Sequence, residues 1–330
     1  MSLNQLNVLD FEKPILELEE QIEEIKRLTA EEGQDRSEEI AALEKHRDRL
    51  MKQVFSKLAP WDKTLLARHP KRPYAMDFIR LIFDDYLELH GDRLFSDDKA
   101  MLGGIGAIGK YQVVFVGQQK GRDLKDRQYR NFGSAKPEGY RKAMRLMRLA
   151  EKFGRPIICL VDTPAADCSV GAEERGISEA IARNLMEMST LKVPVIVAVL
   201  GEGGSGGALG IAIGNRVLML ENAVYSVIPP EGCAAILFRD PNRKIEAAEA
   251  LRITSQDALE LEVIDEIVPE PLGGAHRNVD VTARNLKNVI LKHLGELSSM
   301  SGDELADERY KKFRQMGRFI ADPKPAKAAE

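Results

Sequence analysis

Apolar residues near the start of the chain recur at steps of three and four positions, which is the spacing of one helical face. One series comprises Ile15, Leu18, Ile22, Ile25 and Leu28, and a second comprises Ile40, Leu43, Leu50 and Val54. The polar segment 29–37 between them contains Gly33, so the two helices are predicted to fold back on each other. We predict a helical hairpin within residues 1–58, a main domain over residues 59–320 and a disordered tail over residues 321–330.

The apolar pattern changes further along the chain. A helix is predicted over residues 74–90, and glycines alternating with β-branched residues then predict paired strands over 103–108 and 111–117. Beyond them, apolar strands alternate with helices. The predicted strands are 156–162, 193–200, 217–220 and 264–268, and the predicted helices are 174–191, 281–295 and 303–317. This alternation is typical of an α/β fold.

Composition excludes several functional classes. The 330 residues include 48 Lys and Arg and 52 Asp and Glu, and the resulting net charge of −4 disfavours attraction to nucleic acid or anionic lipid. The chain shows no secretion signal, its three cysteines form no C-x-x-C pair and its five histidines lie far apart in sequence. Residues 193–215 are apolar but contain seven glycines, which argues against a membrane span. We therefore expect a cytoplasmic protein that binds no metal.

Positive charge is concentrated in residues 120–155, which hold 12 basic and 4 acidic residues. Arg141, Lys142 and Arg145 in this segment are candidate contacts for a phosphate group or an acidic partner. A solvated helical face explains the same spacing equally well.

Residues 201–207, Gly-Glu-Gly-Gly-Ser-Gly-Gly, follow an apolar strand and precede a predicted short helix. The first N–H groups of a helix lack intrahelical acceptors and lie at the positive end of its dipole. Glycines let a substrate approach such a backbone closely. The amides of Gly203, Gly204, Ser205, Gly206 and Gly207 are therefore candidates for an oxyanion hole, and a plain packing turn is the alternative.

Two other kinds of site would use the same glycines. The pattern G-x-G-x-x-G beginning at Gly201, with Glu221 about 20 residues beyond it, matches a dinucleotide-binding turn. The pattern G-x-S-x-G centred on Ser205, with Asp265 and His276 following in order, matches the nucleophile elbow of α/β-hydrolases. A phosphate-binding P-loop is excluded, because Lys and Ser or Thr do not follow the glycines.

Longer motifs point to one family. They are A-R-H-P at 67–70, N-F-G at 131–133, P-E-G-Y-R-K-A at 137–143, G-A-E-E-R-G at 171–176 and E-P-L-G-G-A-H-R-N at 270–278. With these motifs the chain resembles, over nearly its whole length, the α subunits of bacterial acetyl-CoA carboxylase carboxyltransferases. Such a combination is far more specific than a single glycine pattern.

The resemblance implies a crotonase-like α/β fold, a spiral of β-β-α units, in an α2β2 assembly with a carboxyltransferase β subunit. It implies transfer of a carboxyl group from carboxybiotin on the biotin carboxyl carrier protein to acetyl-CoA. The product is malonyl-CoA, in the first committed step of fatty acid synthesis, and biotin carboxylase is the other implied partner. This chain is expected to bind no cofactor covalently, and zinc is expected only on the β subunit.

The implied chemistry needs two oxyanion holes, because negative charge develops on the ureido oxygen of biotin and on a thioester enolate. Our hypothesis is that amides within residues 203–207 form the biotin-side hole, that the β subunit supplies the other and that released biotin is the base. On the resemblance, the residues expected to line the substrate site are Pro164, Ala165, Ala166, Asp167, Glu231 and Gly232.

The sequence departs from the family pattern near this expected site. Residues 162–169 read D-T-P-A-A-D-C-S, where family members usually show D-T-P-G-A-Y-P-G. Ala165 thus replaces a glycine and Asp167 a tyrosine, while Pro229 stands where a serine is usual. If the family glycine has a positive φ, Ala165 must be strained or the loop reshaped. Two alternatives therefore stay open: an assembly-competent subunit that has lost transfer activity, and a crotonase-type acyl-CoA hydratase that acts alone.

Overall fold

The computed structural model describes residues 8–317. The predicted disordered tail, residues 321–330, and residues 1–7 of the predicted hairpin segment lie outside this range. Within it, no helix is long and apolar enough to cross a membrane.

The N-terminal helical hairpin is confirmed. Helix α1 (Lys13–Glu32) ends at Gly33, whose left-handed φ of 67° suits a residue without a Cβ, and α2 (Ser37–Phe55) runs back along it. On α1, Ile15 and Ile22 are buried, as the helical period predicts. The hairpin is therefore packed through one apolar face.

Polar side-chain contacts also join this hairpin to the C-terminal part of the chain. The Glu12 carboxylate lies 3.1 Å from Nε2 of His276, and Arg277 donates a 2.7 Å hydrogen bond to Glu19. The ring of His276 stacks on that of His69, with centroids 4.1 Å apart. Residues more than 250 positions apart in sequence thus meet at one junction.

One mixed sheet of eight strands forms the core. The strands are β1 (Asp85–Glu88), β2 (Met101–Ile108), β3 (Tyr111–Gln118), β4 (Ile157–Thr163), β5 (Val195–Gly204), β6 (Arg216–Leu220), β7 (Val224–Ser226) and β8 (Glu266–Val268). Their order is β1-β2-β3-β4-β5-β6-β8, and β7 pairs with the end of β5. The first three are antiparallel and the remaining pairs parallel. Strands β4 and β5 are buried at every residue, which explains their uninterrupted apolar sequence.

Helices cover the sheet. After the hairpin they are α3 (Pro60–Ala67), α4 (Ala75–Ile82), α5 (Leu124–Tyr129), α6 (Pro137–Lys152), α7 (Val170–Glu174), α8 (Ile177–Thr190), α9 (Ser205–Leu209), α10 (Pro230–Leu237), α11 (Lys244–Leu251), α12 (Ser255–Glu260), α13 (Val279–Leu297) and α14 (Gly302–Gln315). Helix α6 packs on β2, β3 and α8, whereas α13 packs on α4, β5 and β8. The predicted α/β class is confirmed.

Three predicted elements have different limits. The helix predicted over 74–90 ends at Ile82, and β1 follows it as an edge strand. The helix predicted over 174–191 is divided at Gly176, whose φ of 78° separates α7 from α8. The strand predicted over 193–200 continues to Gly204, so part of the glycine-rich segment belongs to the sheet.

Candidate active site

The glycine-rich segment passes from strand to helix at Ser205. Gly203 pairs with Thr163 of β4 and Tyr225 of β7, and Gly204 pairs with Ser226. Ser205 has a φ of 51°, a left-handed conformation that is uncommon for a residue with a Cβ. The chain therefore leaves the sheet in one sharp turn, and α9 begins there.

This geometry divides the five candidate amides. Gly203 and Gly204 lie within strand pairing, whereas Ser205, Gly206 and Gly207 are the first three residues of α9. The first N–H groups of a helix have no acceptor within it. The amides that the start of α9 leaves without an acceptor in the helix are those of Ser205, Gly206 and Gly207.

Two side chains hold this turn through the carbonyl oxygen of Gly207. That oxygen accepts a 2.6 Å hydrogen bond from Nε2 of Gln118 and a 3.0 Å hydrogen bond from the hydroxyl of Tyr140. Both side chains are fully buried, and burial raises the pKa of Tyr140, so its hydroxyl stays a donor. The turn is thus fixed from β3 and α6.

The loop after β4 packs directly on this turn. A Cβ placed on Gly204 would lie 2.0 Å from the carbonyl oxygen of Pro164, and one on Gly207 would lie 2.5 Å from the backbone of Ala165 and Ala166. A Cβ on Gly206 would instead meet nothing nearer than 3.9 Å. The structure thus brings the predicted loop residues and the turn together, and leaves the side of the turn at Gly206 open.

The unusual residues of this loop are accommodated without backbone strain. Ala165 is not among the residues with a positive φ, so its replacement of a glycine needs no left-handed backbone. The carboxylate of Asp167 accepts hydrogen bonds from the backbone N–H and the hydroxyl of Ser169, at 3.0 and 3.1 Å. Asp167 therefore stabilises its own turn before α7. Of the two outcomes expected for Ala165, the structure excludes strain.

A partly buried network of charged side chains lies beside the turn. Lys120 contacts the Asp162 carboxylate at 2.8 Å and Glu202 at 2.7 Å. Arg68 contacts Glu202 and Glu231, each at 2.6 Å. Asp162 also accepts a 3.0 Å hydrogen bond from the backbone N–H of Glu202, which ties the end of β4 to β5. The predicted site residue Glu231 therefore does lie close to the glycine turn.

Opposite charges within this network shift the pKa values of Glu202 and Lys120 in favour of their charged forms. Burial alone raises the pKa of Glu202, but the positive charges of Lys120 and Arg68 outweigh burial and lower that pKa to about 2. The pKa of Lys120 is raised, because Asp162 and Glu202 outweigh its own burial. Glu202 and Lys120 are therefore both charged at neutral pH.

A small cavity of about 170 Å³ adjoins this network. It is lined by Ala67, Arg68, Tyr74, Lys120, Arg127, Phe132, Pro164 and Glu202. The ring of Phe132 is half exposed, and its φ of 54° is again left-handed. The cavity thus combines an aromatic wall with cationic groups next to the loop of Pro164.

The candidate cations of α6 lie away from the turn. Lys142 is buried in an ion pair with Asp97 at 2.6 Å, and Arg141 contacts Asp92 at 3.0 Å. Arg145 lines a different cavity from the one beside Phe132. Gly232 lies within α10, next to Glu231. Of the three cations, Arg141 and Lys142 are therefore paired with carboxylates of the protein itself.

Two alternative interpretations of the glycines fail on geometry. A dinucleotide-binding turn needs its first glycines just after the strand, but Gly201 and Gly203 lie inside β5. A hydrolase triad needs Asp265 and His276 together, but Asp265 accepts a hydrogen bond from the N–H of Val217 while His276 contacts Glu12. Neither arrangement is formed.

One group of side chains could in principle hold a metal ion. Donor atoms of Glu12, His69 and His276 lie within 4.8 Å of one another, although sequence spacing gave no sign of such a cluster. Arg277 lies 3.8 Å from the Glu12 carboxylate and already supplies positive charge there. This geometry favours a structural role for the cluster, in which these side chains join the hairpin to the main domain, over a cation-binding role.

Sequence reasoning missed the residues that support the turn. Gln118, Tyr140, Lys120 and Arg68 were not predicted as site residues. A signal existed for the last two, because Glu202 is the single charge in the apolar segment 193–215 and a buried carboxylate needs a cationic partner.

Comparison with known proteins identifies close relatives. Residues 8–317 match the family model described as acetyl co-enzyme A carboxylase carboxyltransferase-like. The chain is 54% identical to the acetyl-coenzyme A carboxylase carboxyl transferase subunit alpha of Staphylococcus carnosus, over 94% of this chain and 99% of that protein. It is 53% identical to the protein of the same name from Geobacter metallireducens, over 94% of this chain and 98% of that protein.

Solved structures share the fold at much lower identity. Transcarboxylase 12S, solved with methylmalonyl-coenzyme A and methylmalonic acid bound, is 21% identical with a TM-score of 0.56, over 69% of this chain and 42% of that one. A Pseudomonas malonate decarboxylase hetero-tetramer in complex with coenzyme A is 15% identical with a TM-score of 0.57, over 71% and 91% respectively. These likenesses confirm the crotonase-like α/β fold.

Proposed function

The chain belongs to the acetyl-coenzyme A carboxylase carboxyltransferase family, and on this premise we propose that it is the α subunit that acts in carboxyl transfer to acetyl-CoA. The carboxyl donor in this proposal is carboxybiotin on a carrier protein, and the product is malonyl-CoA. The names of the relatives favour neither a transfer-inactive scaffold nor a stand-alone hydratase.

The observation that carries the mechanism is the turn at Ser205. It presents the first amides of α9, and the carbonyl oxygen of Gly207 is held by two buried donors. Donors that are already fixed stabilise developing charge without reorganising during the reaction. We assign to these amides the oxyanion that forms on the biotin side when the carboxyl group leaves.

The open side of Gly206 fits this role, because a Cβ placed there meets no atom nearer than Cδ1 of Ile181, at 3.9 Å, which leaves room for a substrate oxygen. The hydroxyl of Ser205 is not required by this mechanism, since the backbone supplies the hydrogen-bond donors. The left-handed φ of Ser205 instead turns the chain from β5 into α9. The biotin released by transfer is proposed as the base that deprotonates acetyl-CoA.

The charged network of Lys120, Asp162 and Glu202 holds the glycine turn in position. Asp162 and Glu202 neutralise Lys120 and hold the ends of β4 and β5 together. Because β5 leads directly into the turn, this network sets where the amides of α9 lie. The aromatic ring of Phe132 and the backbone of Pro164 form the adjacent wall, which we propose faces the biotin ring system.

The proposed enzyme needs partners. The relatives are named as alpha subunits, which supports a β subunit as the partner of this chain. We propose an α2β2 assembly in which the β subunit supplies the second oxyanion hole and a structural zinc. The biotin carboxyl carrier protein and biotin carboxylase are proposed as the other components, and a cytoplasmic location stays a prediction.

A reconstitution experiment tests this function. The chain is mixed with a cognate β subunit, and malonyl-CoA formation from acetyl-CoA and a carboxylated carrier protein is followed, with each subunit alone as the control. We expect transfer only in the mixture. A well-formed complex that transfers nothing would point to the scaffold alternative, and hydration of an acyl-CoA by this chain alone would point to the hydratase.

A further inference from the structure

A second cavity, of about 530 Å³, opens between α6, α8 and the loop that follows β1. Its volume lies in the range of small-molecule sites, about 300–1,000 Å³. The charged residues that line it are five arginines, Arg93, Arg141, Arg145, Arg148 and Arg183, and two carboxylates, Asp92 and Glu179. The side chains that line the cavity therefore carry more positive than negative charge, although the whole chain has a net charge of −4.

Three of these arginines are neutralised by the protein. The ion pairs are Arg141 with Asp92 and Glu138, Arg148 with Glu187, and Arg183 with Glu179. Arg145 differs, because it donates to the backbone carbonyl oxygens of Gly91 at 3.1 Å and His90 at 3.3 Å. Across residues 8–317, neither Arg145 nor Arg93 forms an ion pair. Two guanidinium groups that form no ion pair with the described residues thus line one cavity.

The guanidinium groups of Arg93 and Arg145 repel each other electrostatically. Burial and the neighbouring positive charge of Arg93 lower the pKa of Arg145, against the opposing effect of Asp92 and Asp97. An anion bound between the two guanidinium groups would remove this repulsion. The planar fork of an arginine matches the oxygens of a phosphate group and can donate two hydrogen bonds to it.

We propose that this cavity is a binding site for an organic phosphate, held through Arg93 and Arg145. The ligand class includes an apolar part, because Leu94 and Met144 line the same cavity and the side chain of Leu94 is largely exposed. The loop that carries Leu94 is preformed: one oxygen of Asp92 accepts hydrogen bonds from the backbone N–H groups of Leu94, Phe95 and Ser96.

The proposed phosphate site is separate from the glycine turn, but one residue that lines it also contacts the elements that hold the turn. It shares no lining residue with the cavity beside Phe132. Asn184 lines the arginine cavity and donates 3.0 Å hydrogen bonds to two carbonyl oxygens. One belongs to Tyr140, whose hydroxyl holds the turn, and the other to Gly210, which follows α9. A bound phosphate therefore contacts the same α6–α8 junction that holds α9 in place.

Calorimetric titration of the full chain with inorganic pyrophosphate tests the proposal. We expect saturable binding that Arg93→Gln and Arg145→Gln each weaken about tenfold or more, since each removes hydrogen bonds to a charged group. Arg243→Gln is the matched control, because this exposed arginine pairs with Glu246 and neither residue lines the cavity. The affinity of this variant for pyrophosphate should equal that of the unaltered chain. Arg93→Gln stays informative even if Arg145→Gln loosens the loop, because Arg93 makes no hydrogen bond within the described residues.

A second titration, with adenosine diphosphate, tests the apolar part of the site. We expect it to bind more tightly than pyrophosphate, and we expect Leu94→Ala to remove the difference. The proposal is overturned if pyrophosphate does not bind, or if the control weakens binding as much as the two variants. The titrations need no transfer activity, so their outcome is independent of the proposed carboxyl transfer.

Discussion

The hydroxyl of Tyr140 donates a 3.0 Å hydrogen bond to the carbonyl oxygen of Gly207, so a helix 67 residues earlier in the chain fixes the turn at α9. Both groups are buried, and the second donor to the same oxygen is Gln118. The position of the candidate oxyanion hole therefore depends on buried side chains that lie outside the turn itself.

Tyr140→Phe should lower the free energy of unfolding by about 1 kcal/mol, because one buried hydrogen bond is lost while Gln118 keeps the carbonyl oxygen paired. Transfer activity should fall more than this loss of stability explains, since the turn becomes less well positioned. Urea unfolding and the kcat of the assembled complex measure the two effects. Tyr310→Phe, at an exposed position on α14, is the control and should change neither.

The variants Gly206→Ala and Gly207→Ala distinguish two requirements of the turn. Gly206→Ala tests whether substrate must approach the backbone there, and Gly207→Ala tests how tightly the turn packs on the loop after β4. Gly207→Ala should cost about 2 kcal/mol of stability, because its Cβ meets the backbone of Ala165 and Ala166 at 2.5 Å. Gly206→Ala should fold at least as well as the unaltered chain but lose transfer about a hundredfold, since its methyl group occupies the open side. Thermal unfolding and reconstituted transfer check both variants. Full activity of Gly206→Ala would exclude substrate approach at this face.

Glu202→Gln should lower stability at neutral pH by about 3 kcal/mol, because it leaves Lys120 and Arg68 without their shared carboxylate. The pKa of Glu202 is depressed to about 2, so its ionised form stabilises the folded state above the unfolded value of 4.5. That contribution is lost as the pH falls from about 4.5 towards 2. The difference between Glu202→Gln and the unaltered chain should therefore narrow in urea titrations below pH 4.5. A constant difference down to pH 3 would contradict this account.

Ala165→Gly restores the usual family residue and tests whether the altered loop limits activity. Ala165 has no positive φ, so glycine relieves no strain and only adds freedom to the unfolded chain. We expect a loss of about 0.5 kcal/mol in stability and transfer within twofold of the unaltered chain. A gain in transfer of tenfold or more would show that Ala165 is a defect, as the scaffold alternative requires.

The sequence predicted those parts of the fold that depend on local pattern. The helical period around Ile15 and Ile22 and the wholly apolar strands β4 and β5 gave the right elements. The edge strand β1 was missed, because its burial alternates only weakly along four residues. The break between α7 and α8 depends on Gly176, which a periodic apolar pattern does not register.

The candidate site was predicted only where it depends on local sequence. The glycines marked where the turn lies, but the end of β5 is set by pairing with Thr163 and Tyr225, which are distant in sequence. The roles of Gln118 and Tyr140 follow from the way β3 and α6 pack behind α9, and sequence spacing carries no information about that. The cluster of His69, His276 and Glu12 likewise exists only once the hairpin has docked.

The claim that backbone amides, and no side chain of the turn, stabilise the transfer oxyanion is tested most directly by Ser205→Gly in the assembled complex. Glycine adopts a φ of 51° without strain, so this variant removes the hydroxyl and keeps the turn. The measurement is the kcat of carboxyl transfer, with assembly to the β subunit confirmed for the same sample. We predict a value within fivefold of the unaltered complex. A loss of a thousandfold or more in a fully assembled complex would show that the Ser205 hydroxyl takes part in the chemistry and would contradict the account.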